Sequence, residues 1–280
     1  MASSNSTNST SVSNESVSRE SVSRDPLANW PNRQTLSAGD TTVLWWSRGD
    51  TDRDGRPWAD GAVRPEGVDV ADCADVVLRE LSGWALSTDD SQLAQALQGR
   101  HARLLRSALS LSLPLTEEPA LRGVPDRISL GALTPDALVD QAEQIGAVAL
   151  RAYRGQDGWP DAMAAAASMR KAANGEVLGP LLDSSVLATR GDTVVGACLV
   201  TDRTGEPPSG GPWVLDIFRD PDDPARGVGA AMLAHAARSL RSVGLAALSL
   251  VVTADNEPAL ALYRDLGFEE HGHSWTLVLP

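Results

Sequence analysis

Lysine is almost missing from this chain. Of 280 residues only Lys171 is a lysine, arginine supplies the rest of the basic charge, and the formal net charge is −13. With no Lys/Arg block to neutralise phosphates, a nucleic-acid partner is not expected. Cysteine is scarce too: Cys73 and Cys198 lie far apart, each in an apolar segment. That pattern reads as two buried thiols in a reducing compartment, and as neither a disulfide nor a metal site. No apolar run approaches the roughly 18 residues needed to cross a bilayer. The N-terminus has no basic segment followed by an apolar one, so it is not a secretory signal. These absences predict a soluble cytoplasmic protein with no membrane partner and no metal, long enough for one large domain or two ordinary ones.

What is present divides the chain. Residues 1–39 form a Ser/Asn/Thr-rich tail with a short repeat (Ser11-Val12-Ser13-Asn14-Glu15, Ser16-Val17-Ser18-Arg19-Glu20, Ser21-Val22-Ser23-Arg24-Asp25). It has too few apolar groups to offset its ordering entropy and is predicted to be disordered. A first module, 40–115, opens on the strand-like Thr41-Thr42-Val43-Leu44-Trp45-Trp46. In it Val70, Cys73, Val77, Leu78 and Leu81 recur at helical spacing until Gly83 stops the run. Residues 116–125 look like a linker, and 126–280 form a second module. There Thr134-Pro135-Asp136 supplies a cap, an N1 proline and an acidic first turn for a helix to about Tyr153. Strands are predicted at 186–189 and 193–200, joined by Arg190-Gly191-Asp192, and at 213–218 and 245–253. Helices are predicted at 160–173, 229–242 and 257–266, with a terminal strand pair over 268–279. The order argues for an α/β (α+β) fold around one mixed sheet.

The informative stretch is Trp213-Val-Leu-Asp-Ile-Phe-Arg-Asp-Pro followed by Arg226-Gly227-Val228-Gly229-Ala230-Ala231-Met232. An apolar strand runs into a turn, and a glycine turn then opens an Ala/Leu-rich helix. Such a helix start suits a diphosphate: first-turn N–H groups lack helix partners, the dipole favours an anion, and glycines let backbone approach closely. A dinucleotide fingerprint does not fit, because its third glycine would fall on Met232.

This stretch resembles the GNAT (GCN5-related N-acetyltransferase) superfamily. Arg226-Gly-Val-Gly229-Ala-Ala231 follows that family's (Gln/Arg)-x-x-Gly-x-(Gly/Ala) loop. Asn256-Glu-Pro-Ala259-Leu-Ala-Leu262-Tyr263-Arg-Asp-Leu266-Gly267-Phe268 follows its second motif. The resemblance covers roughly 126–280. It implies acetyl-CoA as co-substrate, with Phe218 and Arg219 offering backbone to the acyl-pantetheine. Arg226, Gly227, Val228, Gly229, Ala230 and Ala231 would cradle the diphosphate, Asn256 would contact the cofactor, and Tyr263 would protonate the leaving thiolate. Amine acylation also needs a base, for which Asp216 is the first candidate, with Glu206 on the 203–211 loop a lesser one. The turn Asp222-Asp223-Pro224-Ala225 is longer than usual and acidic, and its carboxylates are expected to face solvent.

The expected activity is acetyl transfer to a primary amine, on a small molecule or on a protein N-terminus or lysine. The alternatives are a non-catalytic acyl-CoA-binding scaffold and a mycothiol-synthase-like acyltransferase. The oligomeric state cannot be read. His271 and His273 are expected on one face of a terminal strand and make a poor zinc site. Finally, 84–111 can be set against 249–276. This places Ser91 over Asn256 and Gln98 over Tyr263, so the first module reads as a truncated GNAT-like copy without cofactor loop or acid, in the manner of actinobacterial tandem GNAT proteins.

Overall fold

The structure is a computed structural model that describes residues 33–51, 54–117, 122–154, 158–205 and 207–280. The repeat-bearing segment 1–32 and Glu206 lie outside the described residues. The first half carries β1 (Arg33–Ala38), β2 (Thr41–Thr51), β3 (Pro57–Val63), α1 (Val70–Glu80), β4 (Ala85–Thr88), α2 (Ser91–Gln98) and β5 (Arg103–Pro114). The second carries β6 (Ser129–Ala132), α3 (Pro135–Asp140), α4 (Ala142–Ala152), α5 (Ala162–Ala173), β7 (Val186–Arg190), β8 (Thr193–Arg203), β9 (Gly211–Arg219), α6 (Val228–Ser242), β10 (Ala247–Thr253), α7 (Glu257–Asp265) and β11 (Glu269–Val278). The mixed α/β architecture agrees with the pattern of apolar residues. No described helix is long and apolar enough to cross a membrane.

Four expectations change. Residues 33–38, assigned to the tail, form a strand: Arg33 to Ala38 pair antiparallel with Thr41 to Ser47 around the Gly39-Asp40 turn. The helix expected from Pro135 to Tyr153 breaks at Gln141, whose N–H is shared between the Ala137 and Val139 carbonyls. The segment 268–279 is one strand, not a pair. A bulge at His271, where Glu270 faces Leu111 and Gly272 faces Ser110, interrupts the alternation that would have put His271 and His273 together.

All the strands join one sheet in the order β1-β2-β3-β4-β11-β5-β10-β9-β8-β7-β6. Its centre is an exchange. β5, from the first half, lies between β10 and β11 of the second, antiparallel to both. β11, from the second half, reaches past it to pair with β4. Each half therefore completes its sheet with the other's last strand. Leu109, Leu111 and Leu113 of β5 bury into the core under α6 and α7. Leu277 and Leu279 bury under α1 and α2. Within segment 116–125, Arg122 binds the Asp265 carboxylate, and just before it Leu115 N–H donates to Ala246 O (2.8 Å).

The element order β1-β2-β3-α1-β4-α2-β5 recurs as β7-β8-β9-α6-β10-α7-β11. Both opening hairpins turn on Gly-Asp-Thr, at Gly39 (φ 59) and Gly191 (φ 57). The match is offset by one residue from the sequence pairing. The cap of α2 is Asp90 and that of α7 is Asn256, so Leu97, not Gln98, stands where Tyr263 does. The helix ends agree: Ala102 N–H donates to Leu97 O and Phe268 N–H to Tyr263 O, both at 3.0 Å. His101 (φ 74) takes the left-handed position of Gly267 (φ 91).

Helices α1, α2, α6 and α7 share one face of the sheet. Leu109 packs under α6 and α7, its cross-strand partner is His273, and Trp275, two residues on, packs with the α1/α2 core. Helices α3, α4 and α5 cover only the second half of the other face.

Candidate active site

The site forms where β9 leaves β10. These two strands are parallel and share the single register pair Trp213 with Ser249. On its other edge β9 follows β8 through a bulge: Leu199 faces Asp216 while Val200 faces Val214, leaving Leu215 as the extra residue. The open edge thus lies between the carboxyl ends of two parallel strands, where ligands of open α/β sheets bind. Asp220 N–H donates to Val195 O at 2.8 Å, and Phe218 stands opposite Ala197. Strand alternation then turns the Phe218 N–H toward β8 as well, while the N–H groups of Ile217 and Arg219 face the open edge. The Phe218 N–H is therefore turned away from the open edge, and that of Arg219 toward it. The Phe218 ring is instead core, 5% exposed, with its centroid 6.4 Å from that of Tyr153. Gly196 permits this close pairing, since a Cβ there would come within 2.8 Å of Phe218 O.

Beyond the strand the chain turns into α6. Gly227 caps the helix in the left-handed region (φ 81, ψ 5) without any side-chain cap, and a Cβ added to it would meet nothing within 4 Å. The first intrahelical bond is Ala231 N–H to Gly227 O, 3.0 Å. Ala231 therefore has no amide to offer, and its side chain, like that of Val228, is buried. The amides of Gly227, Val228, Gly229 and Ala230 find no acceptor among the described residues. They converge on an open corner flanked by exposed Arg226. That corner fits a diphosphate.

The acidic turn does not face this corner. Asp220 accepts from Arg151 of α4 (2.5 Å from Nη2) and from Asp222 N–H (3.0 Å). Asp223 takes a two-pronged bond from Arg190 at the end of β7, both contacts 2.9 Å, and accepts from Ala225 N–H at 2.8 Å. The arginine hydrogen bonds hold both carboxyls below the usual carboxylate range. Of the two carboxylates expected to face solvent, Asp222 is exposed, while Asp223 is tied back to the scaffold by Arg190.

Deeper in the opening, the chain's two tyrosines flank Asp216. Tyr153, at the end of α4, donates its hydroxyl to Asp216 Oδ1 at 2.5 Å. Burial raises the Asp216 carboxyl to about 6, against the lowering effect of Tyr153 and the Ile217 N–H. Burial raises both tyrosines as well, Tyr153 further through Asp216, and Tyr263 further through Cys198 and Asp216, so both stay protonated. Tyr263, on α7, is 6% exposed and stacks at a tilt on Phe268 (5.5 Å). Its hydroxyl has no partner among the described residues. Tyr153 was missed from sequence because it sits at a helix end, outside both motifs.

The family model for the acetyltransferase (GNAT) family matches residues 139–268. These residues are a GNAT domain. An uncharacterized protein of Mycobacterium leprae (strain TN) is 37% identical over 145 residues, 52% of this chain and 35% of that protein. A mycothiol acetyltransferase of Saccharomonospora viridis is 43% identical over 68 residues, 24% of this chain and 22% of its own. The chain thus matches about a third of the length of one of these curated relatives and about a fifth of the other. The crystal structure of a GCN5-related N-acetyltransferase from Sphaerobacter thermophilus shares the fold, with a TM-score of 0.61 at 15% identity, covering 86% of this chain and 78% of that one.

Within the GNAT domain Asn256 serves first as the cap of α7, its Oδ1 accepting from Ala259 N–H at 3.2 Å. The corresponding places in the first half are closed by its own side chains. Asp69 caps α1, accepting from Ala71 and Asp72 N–H at 2.8 and 3.1 Å. Arg64 bridges from the turn after β3 to Asp90 (2.9 Å), Gln92 (3.0 Å) and Val68 O (2.6 Å). β3 and β4 stay paired through Ala62 and Thr88, where β9 and β10 have already parted.

Proposed function

We propose that the GNAT domain transfers an acetyl group from acetyl-CoA to a primary amine. The observation that carries this reading is the pairing of two features at one strand opening: four helix-start amides without acceptors, and a buried carboxylate between two protonated tyrosines. The backbone of Gly227 to Ala230, with Arg226, would hold the diphosphate. The amide of Arg219 would hold the pantetheine arm, that of Ile217 being engaged by the Asp216 carboxylate, and Asn256 would contact the cofactor. The co-substrate supplies an acyl carbon activated by its sulfur. Asp216, largely ionised at neutral pH and oriented by Tyr153, takes the proton that the attacking amine loses. Tyr263 gives its proton to the departing sulfur, so one C–N bond forms, one C–S bond breaks, and charge balances. The acceptor is a small-molecule amine or the amine of a protein; relatives named as a mycothiol acetyltransferase and as a ribosomal-protein alanine N-acetyltransferase support acetyl transfer in general terms.

The first half is read as a truncated GNAT-like module that no longer binds the co-substrate. Its helix-start amides are taken by Asp69, and its cleft is bridged by Arg64. Isothermal titration with CoA and acetyl-CoA tests both statements, with one site per chain expected. A thiol-release screen across amines then tests turnover. Two sites would overturn the reading of the first half. CoA binding without turnover on any amine favours the scaffold alternative, and no binding at all overturns the assignment.

A further inference from the structure

Most of the arginines that are half-buried in this protein carry a carboxylate partner: Arg64 with Asp90, Arg151 with Asp220, Arg190 with Asp223. Arg203, at the end of β8, is half-buried and has no ion pair among the described residues. Its guanidinium lies over the ring of buried Trp213, 4.4 Å from the centroid. Stacking on an aromatic face fixes the plane of an arginine and leaves its edge N–H groups free to receive a planar anion.

The position of this pair connects it to the active site. Along β8, Ala197 and Leu199 pack into the core under α4 and α5, so alternation puts Thr201 and Arg203 on that same face. Asp216 stands opposite Leu199 and Trp213 opposite Thr201. Asp216, Trp213 and Arg203 therefore share the face from which Tyr153 reaches Asp216. Tyr263 approaches from the other face, with the α6/α7 core. Leu199 and Thr201 are two residues apart, so Trp213 lies about 7 Å along the strand from Asp216 at ~3.3 Å per residue. Asp60 of β3 accepts from Ser87 Oγ at 2.5 Å. It is near enough to act on Arg203 electrostatically although five strands separate β3 from β8 in the sheet. Burial nonetheless dominates and weakens the hold of Arg203 on its proton, so the side chain is not fully compensated.

We infer that the acceptor carries a carboxylate, received by Arg203 on its Trp213 platform about 7 Å from the amine at Asp216. Two extended residues span about that length, and one residue only about half of it, so the acceptor class is a short peptide of dipeptide length with a free C-terminus. This rests on the acetyltransferase reading of the site.

The test uses the full chain, saturated with CoA. Binding of alanyl-alanine is compared by titration with that of its C-terminal amide, and acetylation of both is followed by thiol release from acetyl-CoA. Alanine serves as the single-residue arm and separates free amino acids from peptides. The acid is expected to bind at least tenfold more tightly than the amide and to have the higher kcat/KM. Arg203→Ala should erase that difference through KM, and Arg203→Lys should restore part of it. CoA affinity of each variant checks that it folds. Equal affinity for acid and amide, or no measurable affinity for either, overturns the proposal, as does an acid preference that survives Arg203→Ala. Failure to bind CoA at all would instead remove the acetyltransferase reading beneath it.

Discussion

The Tyr153 hydroxyl donates to Asp216 Oδ1 at 2.5 Å, from the end of α4 to the middle of β9. The bond joins the helical cover of the second half to the strand opening, and it holds a carboxylate where burial alone would neutralise it. Removing the donor therefore has consequences that can be separated by pH.

The acid limb of the pH–rate profile is expected near 6, where Asp216 titrates, with kcat/KM rising as the carboxylate ionises. Tyr153→Phe deletes a donor that favours the charged form, so the limb should move upward by a measurable fraction of a unit or more. Stability runs the other way. The folded carboxyl lies above its unfolded value of 3.8, so the native state binds the extra proton between about 4 and 6, and stability falls as pH rises through that window. At pH 8 the buried charge costs up to about 3 kcal/mol at 1.36 kcal/mol per unit. Asp216→Asn should raise the denaturation midpoint at pH 8, leave it little changed at pH 4, and abolish most turnover. A midpoint that drops at pH 8 would contradict the assignment.

Tyr263→Phe removes a hydroxyl that has no partner among the described residues, so folding stability should change by less than about 1 kcal/mol. Loss of a general acid is worth about 10²- to 10⁴-fold in rate. Thiol release should therefore fall by that order while CoA affinity, measured by titration, stays within about threefold. An unchanged kcat would reduce Tyr263 to a ring packed on Phe268.

Local features were legible before the fold was known. The Gly227 turn, the start of α6 and the cap of α7 follow from residues a few positions apart, whose chemistry decides their conformation. Partners distant in sequence left no such trace. Nothing within 103–114 says that it will lie between 247–253 and 269–278, because the apolar alternation of β5 suits any sheet with one covered face. The direction of the Phe218 N–H depended on which edge of β9 meets β8, a matter of pairing and not of composition. Tyr153 and Arg203 belong to no motif. Their rarity as a second tyrosine and as an arginine close before Trp213 was the available signal, and only the shared face of β8 and β9 gave it meaning.

Gly227→Ala should separate backbone strain from ligand loss. The left-handed φ of 81° costs an alanine on the order of 1–2 kcal/mol. The new methyl meets no protein atom, so the fold has no clash to relieve. It would instead occupy the corner before the α6 amides. A modest fall in Tm with a tenfold or larger rise in the Kd for CoA is expected from thermal melts and titration. An equal loss of stability with unchanged CoA affinity would place the diphosphate elsewhere.

The strand exchange makes the two halves mutually dependent. A fragment of 126–280 keeps β6 to β11 but lacks β5, and so leaves β10 and β11 with bare inner edges on either side of a missing strand. It also uncovers the core at Leu109, Leu111 and Leu113, each worth roughly 1.5–3 kcal/mol on burial. That total is comparable with the net stability of a domain, and unpaired edges promote aggregation. The fragment should be insoluble alone. Co-expressed with 33–117 it should be recovered as a complex, because β5 then fills its place and β11 covers β4 in return. A soluble 126–280 fragment that binds CoA without its partner would mean the second half can close its own sheet. In that case β5 would be an accessory strand, not a structural part of the domain.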